Sequence, residues 1–181
     1  MTDDVQFRRF EPGDTDALLA LDEWALREAG TDPEDVPGSD DLLSVSESYL
    51  DADGDFVLGT VPAVEVPDDA DRTPPESGDG YIVAMGGYLP TEVGYEDERS
   101  VPDAAELHRM RVAPTHQRRG YGRALLDELE RRATAAGFDL LVATTAMRQE
   151  SAVRFYRSNG YTEVDRSEYG EYDLVHFEKR A

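Results

Sequence analysis

Cysteine is absent from the 181 residues of this chain, and histidine and long apolar runs are scarce. Without cysteine there are no disulfides, thiolate metal ligands or cysteine nucleophiles. The spacing of His108, His116 and His176 is not typical of a metal site, so we expect no metal. No segment approaches the ~20 apolar residues that cross a bilayer, and residues 1–4 are acidic where a secretory signal is basic. These absences predict a soluble, cytoplasmic protein with no membrane partner.

Positive charge is also scarce, and lysine most of all. The chain has 40 Asp and Glu against 18 Lys and Arg, a net charge of −22, and Lys179 is its single lysine. A surface this acidic repels nucleic-acid phosphates, so we expect no nucleic-acid partner. Arginine in place of lysine on an acidic surface resembles the proteins of halophilic organisms, in which concentrated salt screens the self-repulsion. An ordinary acidic protein is the alternative.

The negative charge is unevenly distributed along the chain. The first hundred residues carry 27 Asp and Glu and 5 Arg, whereas residues 101–181 carry 13 acidic and 13 basic residues. Within residues 106–123, five arginines accompany a single carboxylate, Glu106. A basic segment in an acidic protein indicates a polyanionic ligand.

The apolar periodicity predicts an α/β fold in one domain, residues 1–181. Helices are predicted over residues 14–29, 40–50, 120–136 and 150–158. Strands are predicted over residues 5–10, 56–61, 81–89, 106–112, 139–145, 161–165 and 172–178. Residues 62–80, rich in Pro, Asp and Glu, predict a solvated acidic loop insertion. The strand, helix and strand over residues 106–145 predict a crossover that joins two parallel neighbours.

The segment Gln117-Arg118-Arg119-Gly120-Tyr121-Gly122 lies between a predicted strand and a predicted helix. The first turn of a helix offers unpaired N–H groups and a positive dipole end, which together bind pyrophosphate. The glycines let the main chain approach the phosphate oxygens, and the arginines add charge. The spacing fits neither of the two familiar nucleotide loops. The segment therefore predicts a site for a phosphate-bearing cofactor of another kind.

This segment resembles the acyl-CoA pyrophosphate loop of the GNAT superfamily of N-acetyltransferases, usually written Gln/Arg-x-x-Gly-x-Gly/Ala. The strand before it, Ala113-Pro114, and the later Ala152-Val153-Arg154-Phe155-Tyr156 and Asn159-Gly160-Tyr161 also follow the family's order. Residues 106–161 are thereby identified as an acyl-CoA-binding core. The resemblance implies a GNAT fold with a mixed central β-sheet of about six to seven strands, about four flanking helices and a splayed parallel strand pair.

The same resemblance implies the reaction. Acetyl-CoA would be the co-substrate, without a metal, and the acetyl group would pass to a primary amine of a small molecule by direct attack in a ternary complex. A protein or peptide acceptor and a non-catalytic acyl-CoA-binding sensor are the alternatives. The sequence identifies neither the acceptor amine nor the acyl length, and it leaves open whether the protein is a monomer or a homodimer.

Carried onto this sequence, the resemblance assigns roles in cofactor binding. The main chain around Arg111 would bind the pantetheine arm, and an N–H near Val112 would polarise the thioester carbonyl. Arg148 is a further candidate for a phosphate contact, with a solvated surface arginine as the alternative. The implied cofactor-binding residues are Met110, Arg111, Val112, Gln117, Arg118, Arg119, Gly120, Tyr121, Gly122, Arg123, Gln149 and Tyr156. Gln149 stands where many family members carry asparagine.

Two side chains are implied in proton transfer. Tyr156 would protonate the departing thiolate, and Glu106 would act as the general base that takes a proton from the amine. A core aromatic residue is the alternative for Tyr156, and a structural carboxyl is the alternative for Glu106. His108, two residues further on the same strand face, is a reserve base, and ordered water is another.

Overall fold

The computed structural model describes residues 4–36, 39–78 and 80–181. Within these residues, a mixed sheet of eight strands forms the centre of the fold. The strands are β1 (Gln6–Arg9), β2 (Asp55–Val61), β3 (Glu76–Ser77), β4 (Gly80–Pro90), β5 (Ala104–Val112), β6 (Leu140–Ala146), β7 (Thr162–Tyr169) and β8 (Tyr172–Arg180). Their order is β1-β2-β4-β5-β6-β8-β7, and β3 pairs with β4 off this path. The pair β5 and β6 is parallel, and the other pairs described are antiparallel.

Helices cover both faces of the sheet: α1 (Thr15–Glu28), α2 (Val45–Ser48), α3 (Tyr121–Ala135) and α4 (Glu150–Ser158). Successive side chains of a strand point to opposite faces, and β2 divides its residues accordingly. Phe56 and Leu58 pack with α1 and α2, whereas Val57 packs with α3 and α4. The mixed sheet, the flanking helices and the parallel pair confirm the predicted fold class.

The second predicted helix is wrong as a continuous element. Residues 40–50 instead form a 3₁₀ turn at Ser39–Leu43, the single turn of α2, and another 3₁₀ turn at Leu50–Ala52. Serine and aspartate side chains compete for main-chain hydrogen bonds and weaken helices, and the Ser44 hydroxyl donates to the main-chain oxygen of Asp40 in this way (3.4 Å). Packing then decides the path, because Leu42, Val45 and Tyr49 are all buried in the core.

The predicted acidic insertion is mostly exposed, but it also contains β3, which pairs with the first residues of β4. The hydroxyl of Ser77 donates to Asp14, and this contact ties the insertion to the start of α1. Residues 1–3, part of the acidic start noted above, lie outside the described residues, as does Asp79 of the insertion.

The parallel strands β5 and β6 pair only over their first residues. Ala104, Ala105 and Glu106 pair with Leu140, Leu141 and Val142, after which β5 follows β4 and β6 follows β8. A gap therefore opens between residues 107–112 and residues 143–146. This gap is the splayed pair that the family resemblance implies.

A bulge in β5 accompanies the divergence. Gly87 pairs with His108 and Met85 pairs with Arg111, so Gly86 lies opposite two residues, one of which is Arg109 at φ +53°. A bulge of this kind bends the strand and increases its twist. The bend carries the second half of β5 away from β6.

Candidate active site

The edge of β5 that faces the gap offers main-chain donors. The N–H of Ala113 donates to Val83 on β4 at 2.8 Å. Because N–H groups alternate in direction along a strand, those of Val112 and Met110 point into the gap. An extended, amide-bearing ligand arm can pair with such an edge as an additional strand. The predicted contacts at these residues therefore have a structural basis.

The side chain of Arg111 points away from the gap and towards α1. Its Nε donates to Asp22 Oδ1 at 2.9 Å, and both side chains are largely buried. Burial lowers the pKa of Arg111, and the Asp22 carboxylate offsets part of that fall. This ion pair fixes β5 to α1, so the side chain of Arg111 serves the fold, and its main-chain N–H, like that of Ala113, points to β4.

Residues 113–120 join β5 to α3, and the loop of residues 117–123 includes the end of this connection and the first turn of the helix. Gly120 precedes the helix with φ +92°, a conformation that favours glycine, and the first helical bond runs from Ala124 N–H to Gly120 O (3.0 Å). The N–H groups of residues 121–123 therefore have no acceptor within the helix. Tyr121 anchors the turn by burying its ring against Val61 and Val83. At the other end of the loop, Gln117 Nε2 donates to Val112 O at 3.3 Å.

The five arginines of the basic segment have different partners. Arg109 and Arg111 pair with buried aspartates, and Arg123 pairs with Asp127 at 3.0 Å on the helix surface. Arg118 and Arg119 are exposed, and neither has an ion-pair partner within the described part of the chain. The interpretation of the whole basic segment as a site for a polyanionic ligand is therefore too broad. Two free arginines at the start of α3 remain for a polyanion.

Tyr156 projects from α4 towards the bulge of β5. Its hydroxyl lies 3.8 Å from Met110 Sδ, and its ring packs against Tyr161 and Phe177. Burial raises the pKa of Tyr156, and the nearby Glu106 carboxyl adds to this rise. The phenol therefore keeps its proton across the neutral range, as a proton donor must.

Gln149 lies at the start of α4, and its Oε1 accepts a hydrogen bond from Thr145 Oγ1 at 2.9 Å. Nearby, the guanidinium of Arg148 lies 4.3 Å above the ring of Tyr172. Both residues line the cleft described below.

Glu106 lies at the point where β5 and β6 separate, paired with Val142 and only 1% exposed. Neither carboxyl oxygen has a hydrogen-bond partner among the described residues. Burial raises the pKa of Glu106 well above its usual range, the Glu98 carboxylate adds to this, and polar groups of Thr144 offset part of it. Its role as the general base stays a prediction.

A cleft of about 430 Å³ opens at the mouth of the gap. Its lining combines the gap-facing end of β6, part of β5, and the connection between β4 and β5. Acidic side chains line one wall, and aromatic rings and arginines line the remainder. The polar and aromatic lining residues are Thr31, Asp35, Tyr95, Glu96, Asp97, Glu98, His108, Arg109, Arg111, Thr144, Thr145, Arg148, Gln149, Tyr169 and Tyr172.

Behind one wall of the cleft, the buried Asp41 accepts several hydrogen bonds, and the sequence analysis did not identify it. Its Oδ2 accepts hydrogen bonds from the hydroxyls of Tyr49 and Tyr95, both at 2.7 Å, and from Arg109 Nε at 3.0 Å. These residues come from three separate stretches of the chain. No spacing pattern could have connected them, because only the packing of the segment before α2 against β5 brings them together.

The donors described above fit acetyl-CoA. The edge of β5 suits the amides of its pantetheine arm, and the N–H groups and free arginines at the start of α3 suit its pyrophosphate. Among the described residues, no group of three or more His, Asp or Glu is arranged to hold a metal ion. None of the helices described is both long and apolar enough to span a membrane.

Comparison with known proteins agrees with this geometry. The model of the acetyltransferase (GNAT) family matches residues 43–161. An IAA acetyltransferase from Azospirillum brasilense is 34% identical over 94 residues, which cover 51% of this chain and 54% of that protein. The chain thus spans about half the length of this curated relative.

Two solved structures show the shared fold. A GNAT acetyltransferase from Staphylococcus aureus Mu50 has a TM-score of 0.72 at 16% identity, covering 97% of this chain and 98% of that one. The yncA acetyltransferase of Salmonella typhimurium, solved with its cofactor acetyl-CoA, has a TM-score of 0.65 at 17% identity, covering 98% and 94%. Because the family model matches well over half of the chain, the protein belongs to the GNAT acetyltransferase family, whose members use acetyl-CoA.

Proposed function

We propose that this enzyme acetylates the primary amine of a small, positively charged molecule, with acetyl-CoA and the amine bound together. The observation that carries the proposal is the cleft at the mouth of the gap. Its volume of about 430 Å³ lies within the usual range for small-molecule sites. Asp35, Glu96, Asp97 and Glu98 on its lining favour a cationic ligand by charge complementarity.

Acetyl-CoA supplies the acetyl group as a thioester, whose carbon–sulfur bond breaks as the new carbon–nitrogen bond forms. The main chain of Met110 and Val112 holds the pantetheine arm, and the N–H groups of the loop 117–123 hold the pyrophosphate. Arg118 and Arg119 neutralise its charge. Gln149 contributes an amide at the cleft wall.

Tyr156 donates its phenolic proton to the sulfur as negative charge develops there. Burial keeps this hydroxyl protonated at neutral pH, and the negative charge that develops on the sulfur draws the proton. The amine must also lose a proton before it attacks. Glu106 and His108 are the two side chains proposed for that step.

A panel of amines with free-thiol detection tests the proposal, run in both low salt and molar KCl. Diamines should be turned over faster than mono-amines of equal length, and faster still than amino acids of that length, because a carboxylate is repelled by the acidic wall. Peptides with free N-termini and a folded protein complete the panel. Turnover confined to peptides or proteins would favour a macromolecular acceptor. Acetyl-CoA binding without any turnover would favour a sensor.

The matched control is Arg118→Ala. This variant should raise the KM for acetyl-CoA while leaving the ranking of amines unchanged, because Arg118 lies at the phosphate end of the site. A changed ranking would show that the charge preference does not come from the acidic wall.

A further inference from the structure

The cleft lining carries charges of both signs in nearly equal number. It contains four carboxylates and three guanidinium groups, those of Asp35, Glu96, Asp97, Glu98, Arg109, Arg111 and Arg148. Taken alone, these groups would give the cleft little net charge. A preference for a cationic acceptor therefore depends on how the charge of the three arginines is compensated.

Two of these arginines pair with buried aspartates that do not line the cleft. Arg109 Nε donates to Asp41 Oδ2 at 3.0 Å, and Arg111 Nε donates to Asp22 Oδ1 at 2.9 Å. The side chains of both aspartates are less exposed than those of their arginine partners. The two pairs neutralise two of the three positive charges, and the four carboxylates then face Arg148 alone.

Arg109 is the lining arginine whose charge acts on the acidic wall. Burial raises the pKa of Asp97, the neighbouring Glu98 carboxylate adds to this rise, and Arg109 offsets part of it. Burial by itself would lower the pKa of Arg109, but Asp41 raises it, so the guanidinium stays charged. The state of the Arg109 charge therefore affects how strongly the wall attracts a cation.

The bulge of β5 directs Arg109 towards Asp41. Arg109 adopts φ +53° opposite Gly86, and a bulge commonly changes the direction of a side chain in this way. A residue other than glycine keeps such a conformation only where surrounding contacts hold it. Asp41 supplies one of these contacts, and the ring of Tyr95, 6.0 Å from the guanidinium carbon, supplies another.

Asp41 has a second contact with the acidic wall through Tyr95. Its Oδ2 accepts a hydrogen bond from the Tyr95 hydroxyl at 2.7 Å. Tyr95 directly precedes Glu96, Asp97 and Glu98, and its main-chain N–H donates to Glu98 Oε2 at 3.0 Å. Asp41 can thus act on the wall in two ways, by neutralising Arg109 or by anchoring Tyr95, and these two roles can be separated by experiment.

We propose that Asp41 is a positioning residue for acceptor specificity, which neutralises Arg109 and so keeps the cleft selective for amines with a second cationic group. This inference rests on the proposed function. Asp41 does not line the cleft, so it acts through Arg109. Without the Asp41 charge, the guanidinium of Arg109 would compete for the carboxylates of the wall and repel the second ammonium group of the acceptor.

The kinetic test compares putrescine, a four-carbon diamine, with butylamine. Asp41→Asn keeps the shape of the side chain and removes its charge. The ratio of kcat/KM for putrescine to that for butylamine should fall by roughly tenfold, while the KM for acetyl-CoA should not change. A wild-type ratio in this variant would overturn the proposal.

The double variant Asp41→Asn with Arg109→Gln separates the two roles of Asp41. It removes both members of the ion pair, so no uncompensated charge remains and the wild-type ratio should return. If Asp41 acts by anchoring Tyr95, the ratio should stay low, and that result would overturn the proposal. The double variant also decides the matter if Asp41→Asn alone does not fold.

The matched control is Asp55→Asn. Asp55 is only 3% exposed and pairs with Arg9 at 2.8 Å and Arg132 at 3.0 Å, away from the cleft. Its substitution also removes a buried carboxylate from arginine partners. This variant should keep the wild-type ratio, and an equal fall in both aspartate variants would show a general effect on the fold instead of neutralisation at the cleft.

The charge at the wall can also be measured without any acceptor. Carboxyl ¹³C NMR titration of the whole protein follows Asp97, and an Asp97→Asn variant assigns its signal. The pKa of Asp97 should fall in Asp41→Asn and return in the double variant. An Asp97 pKa that is equal in the wild type and in Asp41→Asn would overturn the proposal, whatever the enzyme acetylates. A wild-type enzyme that does not prefer diamines would instead contradict the proposed function, and the Asp97 titration would still decide the role of Asp41.

Discussion

The variant Glu106→Gln tests whether the buried carboxyl at the point where β5 and β6 separate stays protonated in the folded protein. Glutamine copies the shape of the protonated acid but does not titrate. The pKa of Glu106 is raised well above its ordinary value of 4.5 by burial, so the folded state binds this proton more tightly than the unfolded state does. Below about pH 4.5 both states are protonated, and the wild type and the variant should then have a constant difference in stability.

Above that pH the unfolded chain loses the proton while the folded protein keeps it. The free energy of unfolding of the wild type should therefore fall relative to the variant by about 1.4 kcal/mol per pH unit, until the pH reaches the folded pKa. Urea denaturation at pH 4, 5, 6 and 7 in constant high salt measures this difference. A difference that does not change with pH would refute the conclusion that Glu106 stays protonated in the fold.

The matched control is Glu150→Gln at the start of α4, where the side chain is 79% exposed. It removes the same charge, and its effect should stay within about 0.5 kcal/mol at every pH. The same variants also separate the two candidate bases. If His108 takes the proton, Glu106→Gln should retain most of the wild-type turnover. If Glu106 takes it, turnover should fall most at low pH and recover as the pH rises.

Three further predictions concern the acid, the phosphate loop and the surface charge. Tyr156→Phe should lower kcat by roughly 10²-fold with little change in acetyl-CoA affinity, and wild-type turnover would exclude Tyr156 as an essential acid. Gly120→Ala and Gly137→Ala both place a side chain at positive φ, +92° and +102°, and each should destabilise the fold by about 1–2 kcal/mol. Only Gly120→Ala should also weaken acetyl-CoA binding in calorimetry, by at least tenfold, and equal affinities would contradict the loop assignment. Molar KCl should raise the melting temperature, because it screens a net charge of −22, and an unchanged melting point would refute the halophilic interpretation.

The family, the order of most elements and the position of the phosphate loop could be predicted from the amino-acid sequence. These features are local, because a strand, a glycine turn and a helix start lie within residues 104–123 and depend on short-range spacing. The prediction of a continuous second helix failed for a related reason. Its serines and aspartates weaken a helix locally, and burial of Leu42 and Tyr49 then set the path of the chain.

The partners of the arginines and histidines, in contrast, depend on contacts between distant parts of the chain. The ion pair between Arg109 and Asp41 joins residues 68 positions apart, and that between Arg111 and Asp22 joins residues 89 apart. Likewise, the 2.8 Å contact between His108 Nε2 and Glu98 Oε1 joins β5 to the connection between β4 and β5. Sequence patterns record which residues are neighbours along one element. Which side chains meet across the cleft depends on the register of β4, β5 and β6, and only the folded sheet sets that register.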